Sequence, residues 1–516
     1  MKKNLYGLGN SLIVWLFYIL FSITYISVLL SDNFILGDNT IKGTSTTIGL
    51  FFFLITLLLL ISSIFLFPKI KQVVTFIFVR HKIIIAVILF LVVTVFQVLF
   101  VSIYHPKIGW DVSALVDTLS NTDNPNNSSY FSLNYNNLPI LLFMDMLSNF
   151  FKVKSWLFFD MVTLIMVDSS IVLSVATTYV VAKEKFATSL YIHLLLLSFF
   201  PWIIVPYTDT WVLPFVSGFL FFYFYSKKSE SFWQKCLSFI LFSVLLCIAY
   251  FIKPSAIIPA IAIIIIELLN LLRIDTVSFP KIIKKSLIIL IAIATFFTSF
   301  SIIKAKINQQ RVVEVNPELV IPAIHFMNMG ISGDGGYNEK DALEMVKLAT
   351  KSEKIDYSQK SLISRLSKLG PIGYLRFLLK KQINNTADGS FAWGREGNFI
   401  QGQEIPKANG IKGVIENYLL IYGEKISNFR FISQLIWLII LTSIFFGWKN
   451  RTQNVQIIRL GIIGAFIFLL LFEGGRSRYL IQFLPLFLVG ASLLFSDSLT
   501  KIKGILHGVV LKRSGF

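Results

Sequence analysis

Charge is scarce in this chain and cysteine scarcer. Only 15% of the 516 residues are charged, against roughly 25% in an ordinary soluble protein, which excludes an aqueous globular domain as the organising unit. The two cysteines, Cys236 and Cys247, lie in one apolar run, so there is no disulfide framework to read. The five histidines are scattered, without the His/Cys/Asp spacing of a metal site. Internal repeats and low-complexity tracts are lacking. The glycine-rich stretch GISGDGGY has neither a preceding strand nor a following Lys-Ser/Thr, which argues against a phosphate-binding P-loop and for a turn.

What is present is hydrophobic length. The composition is 55% hydrophobic, mean hydropathy is +0.72, and apolar runs near the length of a bilayer recur along the chain. That pattern predicts an all-α polytopic membrane protein. The start, MKKNLYGLGNSLIVWLFYIL, has the look of a signal peptide, but its apolar run is too long and no small-residue cleavage site follows, so it reads as a first span. The net charge of +19 is first of all topological, because Lys and Arg collect in cytoplasmic loops. No basic soluble module is visible, and no nucleic-acid partner is expected.

Charge then orders the spans. Lys2 and Lys3 set the start of segment 11–30 inside, and Asp32 and Asp38 set the following loop outside. Segment 47–67 returns to a basic loop with Lys69, Lys71, Arg80 and Lys82, and segment 83–103 leads out to Asp111. The run at 138–152 is about as long as interfacial or re-entrant helices are. Left out of the span count, it lets Lys183 and Lys185 fall inside and Asp209 outside. The basic stretch RIDTVSFPKIIKK also reads as inside. About twelve spans result, with both termini cytoplasmic. The expected organisation is two additional helices at 1–82, a membrane core at 83–303 with an outer loop at 104–137, an outer region at 304–430, and closing spans and tail at 431–516. Residues 365–381 have the mixed face of an interfacial helix.

Four clusters converge on the outer side in this topology: GWD with Asp111, PYTDTW with Asp209, FIKPSA with Lys253, and EGGRSRYL with Glu473, Arg476, Arg478 and Tyr479. Each has a plain alternative. Asp111 and Asp209 would serve as helix caps, Lys253 as a snorkelling anchor, and His325 as a buried or capping residue. The arginine pair is on the wrong side for the positive-inside bias, so it asks for an anionic partner, either Glu473 or a ligand phosphate. Together, carboxylates and cations on one face suit transfer from a donor with a phosphate leaving group. A carboxylate would take the proton of an acceptor hydroxyl, and the cations would stabilise the departing phosphate.

The order of these motifs resembles the GT-C class of integral-membrane glycosyltransferases, in particular the protein-mannosyltransferase and aminoarabinose-transferase branch. The likeness is carried by GWD after a span, LNYNNLPILLFMDML, PYTDTW, YFIKPSAIIP and GGRSRYLIQFLP, over roughly 83–490. HFMNMGISGDGGYN and NTADGSFAWGREGN look like segments of a Gram-positive bacterial subgroup. The resemblance implies Asp111 as base, with Asp209 as the second acid. It implies Lys253, Arg476, Arg478 and Tyr479 around the donor phosphate, and Trp110, Tyr135 and His325 as candidate substrate contacts. The implied donor is a polyprenyl-phosphate-linked sugar and the implied acceptor a cell-wall glycan, teichoic acid, glycolipid or protein outside the plasma membrane. A divalent metal is left open. Departures are Val112 where many members carry a second acid, and Asn137-Leu138-Pro139 in place of Pro-Pro. The rival readings are a flippase or transporter of lipid-linked sugars and a polymerase or ligase of whole glycans. For transport, Asp160 and Asp168 within the 156–181 span are the residues to watch.

Overall fold

The structure is a computed structural model that describes residues 2–122, 124–272, 279–395 and 397–513. Residues 273–278 of the basic stretch assigned to the inside lie outside the described residues. The chain is 78% helical. Among the described residues the only sheet is a small hairpin pairing Asp38–Asn39 with Thr44–Ser45. An all-α membrane protein is thus observed, as hydropathy demands: in lipid each backbone N–H and C=O must find its partner inside its own segment.

In chain order the first helices are α1 (Lys2–Leu29), α2 (Ile48–Leu66), α3 (Pro68–Thr75) and α4 (Lys82–Ile103). Three short helices follow, α5 (Trp110–Ser120), α6 (Pro125–Leu133) and α7 (Leu138–Phe151). Next are α8 (Trp156–Val181), α9 (Phe186–Leu197), α10 (Thr208–Trp211), α11 (Leu213–Lys228), α12 (Phe232–Ile252), α13 (Ile258–Leu271) and α14 (Phe279–Asn308). A polar region then contains α15 (Ala323–Met329), α16 (Glu339–Lys347), α17 (Lys351–Thr386) and α18 (Gly410–Leu419). The chain closes with α19 (Ile426–Phe445), α20 (Gln453–Leu471) and α21 (Leu484–Arg513).

Ten segments among the described residues are long and apolar enough to cross a membrane. The two spans expected in addition correspond to α9 and α11, with 12 and 16 residues. Each is too short to cross by itself, and both are largely buried against protein. There, chain breaks at Pro201 and Pro206 are tolerated because the freed backbone groups do not face lipid. The 14-residue α7 is likewise too short to span, as expected for 138–152. In the Asn-rich stretch after α5, Asn124 caps α6 by accepting from the Asn126 N–H at 3.0 Å.

α1 is no appendage. Its Phe17 and Phe21 are fully buried, Tyr25 stacks on Phe445 at 4.4 Å, and the Thr24 hydroxyl meets that of Thr386 at 2.9 Å. α2 is the peripheral one, with 6% of its apolar window buried. A second hydrophobic cluster, with Leu115, Phe131, Leu141, Met144, Phe159 and Trp211, bolts α5, α6 and α7 onto α8 and α10. It holds the start of α5 beside the loop before α10. α17 opens with a capping box between Thr350 and Glu353 and kinks at Gly370, where φ is 60°, ahead of Pro371.

Candidate functional site

The chain from Tyr104 to Gly109 is held in place by a bridge between Ile108 and Ile400. The Gly109 N–H donates to the Phe399 carbonyl at 2.9 Å, and a side chain at Gly109 would collide with the Asn398 carbonyl. Trp110 follows with φ 58°, a conformation that is an outlier for a bulky residue. It is 58% exposed. The turn delivers Asp111 to the first turn of α5.

Asp111 is not a cap. Gly109 occupies the capping position and makes no side-chain cap bond. The carboxylate instead accepts from two tyrosines, Tyr130 of α6 at 2.6 Å and Tyr207 before α10 at 2.9 Å. Asn137 donates to the Tyr130 oxygen at 2.7 Å. Burial pushes both tyrosine hydroxyls well above their ordinary range, and the Asp111 charge adds to it. They therefore stay protonated and act as fixed donors.

Tyr207 has extended backbone, φ −141°, just after Pro206, and two residues later α10 points Asp209 inward. Asp209 is 1% exposed and forms an ion pair with Lys253. Lys253 ends α12 for a local reason: the residue before a proline is driven out of the α region, and Lys253 sits at φ −153°, ψ 102°, ahead of Pro254. Lys253 is a paired cation rather than a snorkelling anchor. Its ammonium lies 5.6 Å from the Tyr479 ring centre. Tyr479 donates to Glu473 at 2.7 Å and accepts from Arg478 at 3.3 Å. Glu473 is raised above the usual carboxyl range by burial, against the Tyr479 hydrogen bond and the Arg478 charge, while the Asp111 carboxylate adds to the rise.

Two polar groups therefore adjoin where Tyr207 and Asp209 stand two residues apart: Asp111 with Tyr130, Asn137 and Tyr207, and Asp209 with Lys253, Tyr479, Arg478 and Glu473. Two buried atoms of the second group, Asp209 Oδ2 and Arg478 Nε, have no hydrogen-bond partner among the described residues. Buried polar atoms are normally satisfied, so the Arg478 Nε–H is free to donate to a bound anion or water, and Asp209 Oδ2 to accept from a water or a ligand hydroxyl.

Arg476 does not join its neighbour. It is 3.9 Å from Asp334 of the glycine-rich segment, and Lys380 pairs with the same carboxylate at 2.9 Å. Tyr135 packs at the edge of the second hydrophobic cluster. His325 is 1% exposed and belongs to a different cluster: beneath it Arg365 binds Asp341 at 2.7 Å and the Asn328 carbonyl at 2.8 Å. Burial lowers the His325 ring to about 4, with the Arg365 and Lys354 charges helping and Asp341 opposing, so it stays neutral. Sequence reasoning missed Tyr130, Asn137 and Tyr207. Tyr207 lay inside PYTDTW, but nothing in the local sequence paired it with Asp111.

Among the described residues no group of three or more His, Cys, Asp or Glu side chains could hold a metal ion. At Asp209 a divalent ion would meet the Lys253 ammonium, so these residues do not fit one. Residues 5–499 match the family described as conserved hypothetical integral membrane protein. The chain belongs to that family. No curated protein and no solved structure matches it. Membership fixes an integral membrane protein, and the ten apolar helices among the described residues that are long enough to cross make it multi-pass.

Proposed function

We propose that this protein is a GT-C-type glycosyltransferase that moves a sugar from a polyprenyl-phosphate donor to an acceptor on the outer face of the plasma membrane. The observation that carries the reading is the pairing of one doubly donated carboxylate, Asp111, with a cationic corner built from Lys253 and Arg478. The two tyrosine hydrogen bonds fix the carboxylate without using all of its acceptor positions. It can take a proton from an acceptor hydroxyl as that oxygen forms its bond to the sugar C1. The C1–O bond to phosphate breaks in the same displacement, with inversion, and the electron pair leaves on the polyprenyl phosphate. Arg478 and Lys253 stabilise that developing charge in a site shielded from water. Asp209 holds Lys253 in place, and the Tyr479 ring spaces the two cations. The spans beside these groups are where a polyprenyl tail would lie.

The test is transfer of radiolabelled sugar from an undecaprenyl-phosphate-linked donor by purified protein in nanodiscs. Transfer by the wild type and its loss in a well-folded Asp111→Asn variant is the expected result. Normal turnover by that variant would sink the assignment. One observation favours a second reading, transport: Asp160, within α8, is fully buried with both carboxylate oxygens unpartnered among the described residues, and intramembrane acids often line ion paths. Translocation of a lipid-linked sugar across liposomes, without transfer, would select it.

A further inference from the structure

The segment NTADGSFAWGREGN ends at Asn398, and the residues that follow it brace the turn carrying Asp111. Around the bridge between Ile108 and Ile400, two backbone bonds run in opposite directions. The Gly109 N–H donates to the Phe399 carbonyl at 2.9 Å, and the Gln401 N–H donates to the Lys107 carbonyl at 2.8 Å. The residue after Gly109 is Trp110, at φ 58°. A bulky residue keeps that strained conformation only where its surroundings over-determine it. The brace is itself built around one carboxylate. Glu404 Oε1 accepts from the Asn398 N–H at 2.7 Å, where the Asn398 backbone is also left-handed, at φ 57°. The Asn398 side chain accepts from the Gly402 N–H at 3.3 Å and closes the turn. Behind it the Phe399 ring packs against the buried Trp202 and Trp393, with ring centres 5.7 and 5.1 Å away. Trp393 is anchored in turn by donating to the Leu419 carbonyl at 2.9 Å. The hydroxyls of Tyr130 and Tyr207 hold the carboxylate end of Asp111; this brace holds its backbone.

We infer that Glu404 is a positioning residue for Asp111. It fixes the 398–401 segment, which fixes Gly109 and the strained Trp110, and so sets where the carboxylate stands. A general base works only within hydrogen-bond reach of the proton it takes, and a shift of about 1 Å can cost about a hundredfold in rate. The inference rests on the glycosyltransferase reading, with Asp111 as base, but the brace itself is measured without turnover. The test compares Glu404→Ala and Glu404→Gln in the full chain in nanodiscs. Amide hydrogen exchange from His105 to Asp111 should be about fivefold or more faster in Glu404→Ala, the worth of one hydrogen bond. With an undecaprenyl-phosphate-linked donor, kcat should fall about tenfold or more while the donor KM stays within about twofold. Glu404→Gln keeps an acceptor oxygen and should restore both readings. A second pair perturbs the same turn from its backbone. Asn398→Val, β-branched at positive φ, should reproduce the loss, and Asn398→Gly, free to adopt that φ, should lose less. Unchanged exchange in both Glu404→Ala and Asn398→Val would overturn the brace. Faster exchange with an unchanged kcat would overturn the positioning role. No transfer by the wild type, with the exchange pattern as expected, would leave the brace standing and remove the transferase reading.

Discussion

Lys253→Met is the most informative single change, because it separates what the ion pair does for the fold from what it does for a ligand. The side chains of Asp209 and Lys253 are 2% and 15% exposed. Removing the lysine strands a buried carboxylate whose other oxygen already has no partner, and breaking a buried pair in this way costs roughly 3–5 kcal/mol. Asp209→Asn should cost less, about 2 kcal/mol, because Lys253 keeps some water and the face of Tyr479. The double variant removes both charges and should lose only about 1 kcal/mol, since replacing a whole buried pair is often nearly neutral. A double-mutant cycle on unfolding in mixed detergent micelles would then give a coupling of about 4–6 kcal/mol. Retention of undecaprenyl phosphate should behave differently. The restored double variant should still bind it about tenfold or more weakly, the worth of one charge-assisted contact. Additive stability losses would refute the buried coupling. Full phosphate binding by the double variant would refute Lys253 as part of the anion corner.

Other outcomes follow from the same geometry. Asp111→Asn should lower sugar transfer by about 10²–10⁴, measured with the lipid-linked donor, and should cost about 1–3 kcal/mol of stability, because its amide NH2 cannot accept from one of the two tyrosine hydroxyls. Tyr207→Phe deletes one of the two fixed donors and should slow transfer about tenfold, whereas Tyr135→Phe, outside both polar groups, should have no effect. Gly475→Ala places a side chain 2.7 Å from two backbone atoms at positive φ, so it should destabilise the fold by about 2 kcal/mol or more, seen as a lowered thermal midpoint. His325 gives a pH signature. Its folded value is depressed to about 4 from an unfolded value near 6.5, so the unfolded chain takes up its proton first as pH falls. Stability is therefore retained above about pH 6.5 and lost progressively down to about pH 4, by on the order of 3 kcal/mol. Subtracting the pH curve of His325→Asn should isolate that slope, and identical curves would contradict it.

The membrane character, the helical class and most of the spans could be read from the sequence because the signal is local. Eighteen or more apolar residues in a row leave the backbone no alternative to a helix in lipid. The motifs were legible for a related reason, since Lys253-Pro254, Pro206-Tyr207 and Gly474-Gly475 each break a helix by their own backbone chemistry and so leave a polar side chain at a helix end. The partners of those side chains were not legible. Tyr207 meets Asp111 from 96 residues away, and Asp209 meets Lys253 across 44, separations at which only the packing of α5 to α7 against α8 and α10 decides who touches whom. Arg476 and Arg478 looked equivalent in sequence, yet a 3₁₀ turn begins at Ser477. With three residues per turn, that sends one side chain to Asp334 and the other to Tyr479. The same holds for α1, whose hydropathy marks a span but cannot say that Phe17 and Phe21 are core. Chain chemistry determined where helices run and where they stop. Tertiary packing alone decided that Asp111 is a tyrosine-held carboxylate beside a cationic corner, because a carboxylate takes its character from donors that the local sequence does not contain.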